Sequence, residues 1–366
     1  MVHLQLEHST PDDAIADSAA AATGSLDDDL TIDSATPDRG RNARSPREIP
    51  LRGWRDVLLR VHQEAAADNV GLIAAGMAFY ALLSLAPALA VIISVFGLMV
   101  SPEELQSQML VLSSYLPEEA QSLVQNQLTE LVSDRSPQLT WGIAASIGVS
   151  LWGSSKAMKA LFGGMNAVYD EVETRPWWLL TLQSLLFTLA GILLLVAIVA
   201  TLGVLPLVLS WLPMTEFQSL LTRGVSWVVI STVVLCGLAV LYRFGPSRAR
   251  PKWRWVTVGA FVAWIIWVAA SAGFSWYVSN FDSYQRTYGA LGAVAILLMW
   301  FFVSAYAVLI GGELNAELEH QTSEDSTVGG NRPLGERGAV VADKVGHVPR
   351  WRRGKQPVAM GQDLLK

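Results

Sequence analysis

Residues 289–311 read GALGAVAILLMWFFVSAYAVLIG, a run of 23 residues that contains no charged side chain. An apolar helix of about 20 residues crosses the roughly 30 Å hydrocarbon core of a bilayer. A soluble domain could enclose one such run in its core, but not several of them. This stretch therefore predicts a transmembrane helix.

Five further apolar runs of comparable length precede it in the chain. They cover residues 70–100, 139–161, 177–210, 223–242 and 255–278. The composition agrees, with 52% hydrophobic residues, 16% charged residues and a mean hydropathy of +0.36. We predict an all-α, polytopic membrane helical bundle with about six transmembrane helices. The count becomes five or seven if the long runs that contain Pro87 and Pro206 are split differently.

Basic residues lie on alternate sides of the predicted spans, which indicates the orientation. The basic flanks hold Arg44, Arg47, Arg52, Arg55, Arg60, Lys156, Lys159, Arg175, Arg243, Arg248, Arg250, Lys252 and Arg254. The three opposite connections hold only Arg135, Arg223 and Arg286. Loops rich in Lys and Arg stay in the cytoplasm. The pattern predicts a multi-pass membrane protein with both the N and C termini cytoplasmic.

Two polar tails flank the predicted transmembrane domain, residues 51–319. Residues 1–50 are acidic up to Asp38, with no Lys or Arg before Arg39, and then become basic. Residues 320–366 are polar and rich in glycine. Neither tail has enough apolar surface to offset the entropy of ordering. Both are therefore predicted to be disordered in the cytoplasm.

Two other segments have helical periodicity without the length of an apolar span. Residues 51–67 place Leu51, Trp54, Leu58 and Val61 among arginines. This pattern favours a short helix in the headgroup region, and an extension of the first span is the alternative. The first outer connection, residues 101–138, has two leucine stripes with acidic faces and predicts a helical hairpin on the outer side.

The sequence offers little chemistry for catalysis. No histidine lies within a span, and Cys236 is the single cysteine. HExxH, GxSxG and phosphate-cradling glycine loops are all missing from the sequence. We therefore expect no metal, no cofactor and no enzymatic activity.

Polar residues near the span ends are the candidate functional groups, because such groups are costly at membrane depth. Lys156 and Lys159 are one helical turn apart. They either reach toward the headgroups or form a cationic site for a lipid phosphate. Glu313 either pairs with a lysine of the second span or titrates as a proton-coupling carboxylate. The tyrosines of residues 279–289 either anchor the chain at the interface or contact a headgroup. The candidate substrate-binding set is Lys156, Lys159, Asn166, Tyr169, Tyr284, Tyr288, Glu313 and Asn315.

Four stretches carry a resemblance to a known family. They are GLIAAGMAFYALLSLAPAL at 71–89, SSKAMKALFGGMNAVYDEVETRP at 154–176, LYRFGP at 241–246 and NFDSYQRTYGALGAVAILLMWFFVSAYAVLIGGELNAE at 280–317. Together they resemble the YihY/BrkB family of bacterial inner-membrane proteins over residues 51–319. The resemblance implies six spans with cytoplasmic ends. It also implies envelope-related roles such as virulence and export of a lipid A precursor, and some members once carried a ribonuclease label.

Three classes of function follow from these observations. The first is a transporter or flippase for a lipid-like or amphipathic anionic substrate in envelope biogenesis. The second is a membrane scaffold or assembly factor that transports nothing. The third, an enzyme such as a ribonuclease, is the least favoured. The expected partners are membrane lipids, with anionic headgroups among them, and no nucleic acid; a homo-oligomer stays open.

Overall fold

The computed structural model describes residues 39–99, 140–209, 215–280 and 290–347. These residues are helical apart from connections, the largely non-helical segments 39–50 and 321–347, and an isolated bridge between Pro251 and Thr327; residues Pro46–Glu48 form a short 3-10 turn. The helices are α1 (Leu51–Ala67), α2 (Val70–Met99), α3 (Thr140–Val168), α4 (Trp177–Leu209), α5 (Thr215–Phe244), α6 (Trp253–Asn280), α7 (Ala290–His320) and α8 (Val340–Asp343). The predicted hairpin at 101–138 lies outside the described residues.

The helices confirm the all-α polytopic bundle. Within the described residues, four helices are by themselves long and apolar enough to cross a membrane: Trp177–Ile198, Gly224–Phe244, Trp253–Val278 and Val294–His320. A fifth candidate is the pair α1 and α2, which meet at a bend of 63°. The sixth predicted span corresponds to α3, which has 29 residues but is interrupted by glycines, serines and two lysines. Its lower hydropathy places it outside the four.

Helix α7 is the central element of the bundle. It packs against α6, α2, α1 and α3, while α3 packs chiefly against α2 and α4. The main core gathers Met77, Phe162, Met165, Tyr242 and Leu309, all buried. Apolar side chains on the outer faces of α4 and α6 stay exposed, as expected of a surface that meets lipid.

Helices α6 and α7 cross where two glycines let their backbones meet. A Cβ atom on Gly259 would collide with the carbonyl oxygen of Gly311. Asn315 reinforces the crossing, because its Oδ1 accepts a hydrogen bond from the Gly259 N–H at 2.8 Å and its Nδ2 donates to the Val256 carbonyl. Small residues commonly allow such close packing between membrane helices.

Gly259→Ala is expected to destabilise the bundle by about 1–3 kcal/mol, because the added methyl group overpacks a site walled by backbone. The matched control is Gly273→Ala in the same helix, where an added Cβ meets nothing within 4 Å. That control should be neutral or stabilise by up to about 1 kcal/mol. Thermal unfolding of the two purified variants in one detergent compares them. Equal midpoints would contradict the tight crossing.

The prediction that the tails are disordered is wrong for residues 39–50 and 321–347. These residues form a polar layer, here called the cap, over one end of the bundle. Their backbones pair directly, with the Ser323 N–H donating to the Arg41 carbonyl at 2.7 Å. Arg337 is 4% exposed and donates to the carbonyls of Ser323 and Ala342 at 2.6 and 2.7 Å. The cap is ordered by satisfied polar groups rather than by apolar burial, which is why composition alone predicted disorder.

Helix α1 forms as predicted, and its buried residues include Val61 but not the other members of the predicted apolar stripe. The buried residues are Gly53, Asp56, Val57, Arg60 and Val61, which face α7 and the cap. Leu51 and Leu58 of the predicted stripe are 88% and 57% exposed. Because Leu51 and Leu58 are exposed, they are available for the predicted contact of this helix with the headgroup region.

Candidate functional site

The last turns of α7 bring three glutamates into the capped end of the bundle. Glu313, Glu317 and Glu319 are 1%, 3% and 1% exposed. A buried carboxylate is costly unless charge and hydrogen bonds compensate it. The partners of these three side chains therefore determine what this end of the bundle can do.

Glu317 is compensated by an arginine from the opposite end of the sequence. Its carboxylate accepts a hydrogen bond from Nε of Arg60, and both side chains are almost fully buried. Arg60 also donates through Nη2 to Gln321 Oε1 at 2.7 Å. The hydrogen bonds from Arg60 to Glu317 and Gln321 therefore tie α1 to α7 and to the start of the cap.

Glu319 is compensated by Arg248, in the connection between α5 and α6. Arg248 Nη2 and Glu319 Oε2 are 2.6 Å apart, and neither side chain is exposed to solvent. The Arg248 guanidinium also lies 5.0 Å from the centroid of the buried Tyr169 ring. The hydroxyl of Tyr169 has no hydrogen-bond partner.

Glu313 differs from both of its neighbours on α7. Its Oε1 is buried and has no hydrogen-bond partner, and no arginine or lysine within the described residues forms an ion pair with it. Its side chain instead faces the carboxyl of Asp68, within hydrogen-bonding reach. Two facing carboxyl groups favour sharing one proton over both being charged. Asp68 lies in the bend between α1 and α2, where Asn69 has a positive φ of 54°.

The expected ion pair between Glu313 and a lysine of the second span is wrong. Lys159 Nζ donates to Thr181 Oγ1 of α4 at 2.9 Å. Lys156 is exposed and lies 5.0 Å from the centroid of the Trp152 ring. The two lysines lie one turn apart as predicted, but Lys159 contacts α4 and Lys156 contacts Trp152 of its own helix.

Asn166 holds two connections together at the end of α3. Its Nδ2 donates to Glu173 Oε2 at 3.0 Å, and its Oδ1 accepts from the Ser247 N–H at 2.8 Å. Glu173 also accepts hydrogen bonds from the Arg175 guanidinium. With Asn315 at the helix crossing, two of the candidate residues thus make contacts that hold the fold together.

The connection at 169–176 is expected to weaken in acid. The Arg175 guanidinium, opposed by desolvation, lowers the pKa of Glu173 from its ordinary 4.5 to about 2. A carboxyl with a depressed pKa stabilises the fold above its ordinary pKa and loses that contribution as the pH falls toward about 2. Unfolding temperatures should fall between about pH 5 and pH 2.5, and the Glu173→Gln variant should show a shallower fall. If the unfolding temperatures of the wild type and of Glu173→Gln fall equally with pH, the stabilising role of ionised Glu173 is contradicted.

The structure brings Tyr169, Glu313 and Asn315 together and separates them from Lys156 and Lys159. Tyr284 and Tyr288 lie outside the described residues, and their role stays a prediction. Sequence reasoning missed Arg60, Asp68 and Arg248. The acidic repeat in NAELEH at 315–320 could have indicated that basic partners were required. Within the described residues, no group of three or more His, Cys, Asp or Glu side chains could hold a metal ion.

A family model described as virulence factor BrkB matches residues 61–333 of the chain. The chain belongs to this family. The matched range covers α2 to α7, the last seven residues of α1 and part of the cap. The ion-paired end of α7 therefore lies within the family region rather than in an appended tail.

Curated relatives agree with this membership. The chain is 30% identical over 249 residues to the putative ribonuclease-like protein YfkH of Bacillus subtilis, covering 67% of this chain and 88% of that protein. It is also 30% identical over 266 residues to a UPF0761 membrane protein of Alteromonas mediterranea, covering 69% and 83% of the two chains. No solved structure matches the chain. The protein is thus a multi-pass membrane protein with bacterial homologues.

Proposed function

We propose that this protein transports or flips an amphipathic, anionic, lipid-like substrate across the inner membrane during envelope biogenesis. The proposal rests on the buried carboxyl of Glu313 at the capped end, which no basic residue of the described part of the chain compensates and whose Oε1 makes no hydrogen bond. Ionisable groups at membrane depth are expensive, and they commonly mark substrate or ion pathways.

The contrast along α7 supports a functional role for Glu313. Glu317 and Glu319 each have an arginine partner, so this end of the bundle compensates carboxylates where it needs stability. A buried polar group left unsatisfied costs about 1–3 kcal/mol. Glu313 bears that cost beside a second carboxyl, Asp68. We infer that the pair takes up and releases a proton.

The position of Asp68 places that proton at the bend between α1 and α2. Asp68 ends α1, and α2 begins two residues later after a bend of 63°. Losing the shared proton would place two negative charges side by side, and their repulsion would act directly on the angle between the two helices. This arrangement supports coupling of transport to a proton gradient.

The substrate class is inferred from the basic side chains of the bundle. Lys156, near the middle of α3 and apart from Glu313, is exposed beside Trp152, so it offers a cation to an anionic group outside the bundle. The capped end carries most of the basic flanks of the chain. An anionic amphipathic molecule fits these groups better than a neutral one.

The test is translocation of a labelled anionic lipid in liposomes that contain the purified protein. Labelled lipid on the inner leaflet loses protection from an external quencher as it crosses. Protein-dependent crossing that accelerates with a pH gradient, and slows when a protonophore collapses it, is the expected result. No crossing of any anionic lipid under a gradient of either sign would overturn the proposal.

A scaffold is the second candidate, and the folded cap is the observation that favours it. Residues 321–347 form an ordered polar surface joined to the bundle, including the bond from the Val340 N–H to Glu171 Oε1 at 2.8 Å. Such a surface suits a protein partner. Crosslinking followed by affinity isolation separates the candidates, since a stoichiometric partner that depends on the cap favours the scaffold.

We also propose that the capped end faces the cytoplasm, because it gathers the basic flanks. Glu336 is exposed in the cap, so a cysteine there can report its side. In a Cys236→Ala background, Glu336→Cys in intact cells should react with a membrane-impermeant maleimide only after permeabilisation. Labelling of intact cells would reverse the orientation.

The ribonuclease-like name of the Bacillus relative is not extended to this chain. RNA hydrolysis needs a metal site or an acid and base that face water. The carboxylates of Glu317 and Glu319 are buried and held by arginines. We propose that the purified protein leaves RNA intact. Cleavage that co-purifies with the protein and disappears in a single-residue variant would contradict this.

A further inference from the structure

Arg243, in the last turn of α5, has no anionic partner. Its Nε and Nη1 are buried and make no hydrogen bond. Its Cζ lies 4.4 Å from the centroid of the Trp253 ring and 5.5 Å from that of Phe244. The guanidinium is thus fixed by aromatic rings while part of its hydrogen-bonding capacity stays unused.

A second guanidinium lies on the same aromatic group. Arg250 Cζ is 5.1 Å from the centroid of the Phe244 ring, and Arg250 is close enough to Arg243 for the two charges to repel. Neither arginine forms an ion pair within the described part of the chain, whereas the nearby Arg248 is fully paired with Glu319. Two adjacent positive charges without a counter-charge favour binding of an anion.

The geometry of these groups suits a phosphate. Guanidinium groups present planar forks of N–H donors that match phosphate oxygens, and a lysine cannot reproduce this arrangement. Unsatisfied buried donors are costly, and an anion at this place would satisfy them. Trp253 is the first residue of α6 and of its apolar span, a position where aromatic rings commonly meet the headgroups.

The surface below the two arginines indicates that the phosphate belongs to a lipid. Trp253, Phe261 and Ile265 are 46%, 51% and 45% exposed on α6. Residues four apart on a helix form a continuous ridge along its surface. This ridge starts beside the arginines and continues along an apolar span, so an acyl chain can follow it. A soluble anion would make no use of the ridge.

We propose that Arg243 and Arg250 bind the headgroup phosphate of an anionic phospholipid whose acyl chain lies along Phe261 and Ile265. The site lies on the outer surface of the bundle, at the turn between α5 and α6. The inference concerns lipid binding alone and does not require that the bound lipid be transported.

Binding of phosphatidylglycerol and phosphatidylcholine to the purified full-length protein tests the site, with native mass spectrometry counting the retained lipids. The wild type should retain phosphatidylglycerol preferentially. Arg243→Ala/Arg250→Ala should lower the affinity for it at least tenfold. The control, Arg47→Ala/Arg332→Ala, makes the same charge change at exposed arginines in the cap and should keep the wild-type preference.

Two further variants distinguish a specific loss of lipid binding from misfolding and from a general effect of charge. Arg250 is exposed, so Arg250→Ala alone should leave the unfolding temperature unchanged while weakening binding severalfold. Arg243→Lys keeps the charge but loses the planar set of N–H donors, so it should also bind phosphatidylglycerol more weakly.

Two results would overturn the inference. The first is a double variant that keeps the wild-type preference for phosphatidylglycerol, or a control that loses it equally. The second is displacement of phosphatidylglycerol by millimolar inorganic phosphate, which would show that the site takes a soluble anion. These measurements need no translocation, so they are independent of the test of transport.

Discussion

Glu313→Gln is expected to reduce gradient-driven translocation at least tenfold while leaving the fold intact. Glutamine has nearly the same shape as glutamate but cannot release a proton, so the pair with Asp68 would no longer titrate. The substitution also removes a buried ionisable group that lacks an ion-pair partner. The unfolding temperature should therefore stay the same or rise. Translocation in liposomes and thermal unfolding, measured on one preparation, check both parts.

The matched control for this variant is Glu324→Gln. Glu324 is a partly exposed carboxyl in the cap, 4.0 Å from the Arg44 guanidinium. This substitution makes the same chemical replacement at a site without a facing carboxyl, and it should preserve translocation. Wild-type translocation with unchanged pH dependence in Glu313→Gln would remove Glu313 from the mechanism. The burial of the Glu313 carboxyl without a basic partner would then need another explanation.

Arg248→Ala is expected to destabilise the protein by about 3–5 kcal/mol, because it leaves the carboxylate of Glu319 buried without a counter-charge. The variant also removes the guanidinium from the Tyr169 ring. Loss of this pair should loosen the cap first, so limited proteolysis within residues 321–347 should precede unfolding of the bundle. Thermal unfolding and the order of cleavage are the measurements.

Arg44→Ala provides the comparison for a superficial pair. Arg44 and Glu324 are 74% and 32% exposed at their side chains. Exposed pairs contribute at most about 1 kcal/mol, so this variant should unfold close to the wild type. A double variant, Arg248→Met with Glu319→Leu, should recover much of the loss, since apolar replacement of a buried pair is often neutral. Similar midpoints for Arg248→Ala and Arg44→Ala would contradict the structural role of the buried pair.

The sequence was most informative where a feature depends on a local run of residues. The apolar stretches predicted the helices because the thickness of a bilayer sets a length that a sequence shows directly. Glu313 stood out for the same reason, as a charged residue where a span ends. The sequence did not reveal that Glu313 faces Asp68, because the bend between α1 and α2 brings these two distant residues together.

The features that the sequence did not reveal depend on contacts between distant residues. The lysine expected beside Glu313 lies on α3, yet Lys159 contacts α4 instead. Residues 321–347 have the composition of a disordered tail. They are ordered because Arg41, Arg60 and Lys252 supply donors for their carbonyls and side chains. Composition reports apolar burial well, but it does not report a polar layer assembled on an existing bundle.

The contact between Arg60 and Glu317 joins residues that are 257 positions apart. A ribosome that adds about 5–20 residues per second makes the second partner on the order of 10–50 s after the first. Throughout that interval Arg60 carries an uncompensated charge beside the first span. In the orientation we propose, this charge helps keep the start of the protein in the cytoplasm while the later helices insert. Glu317 can neutralise it only after α7 has been made, so the cap cannot close before that helix is complete.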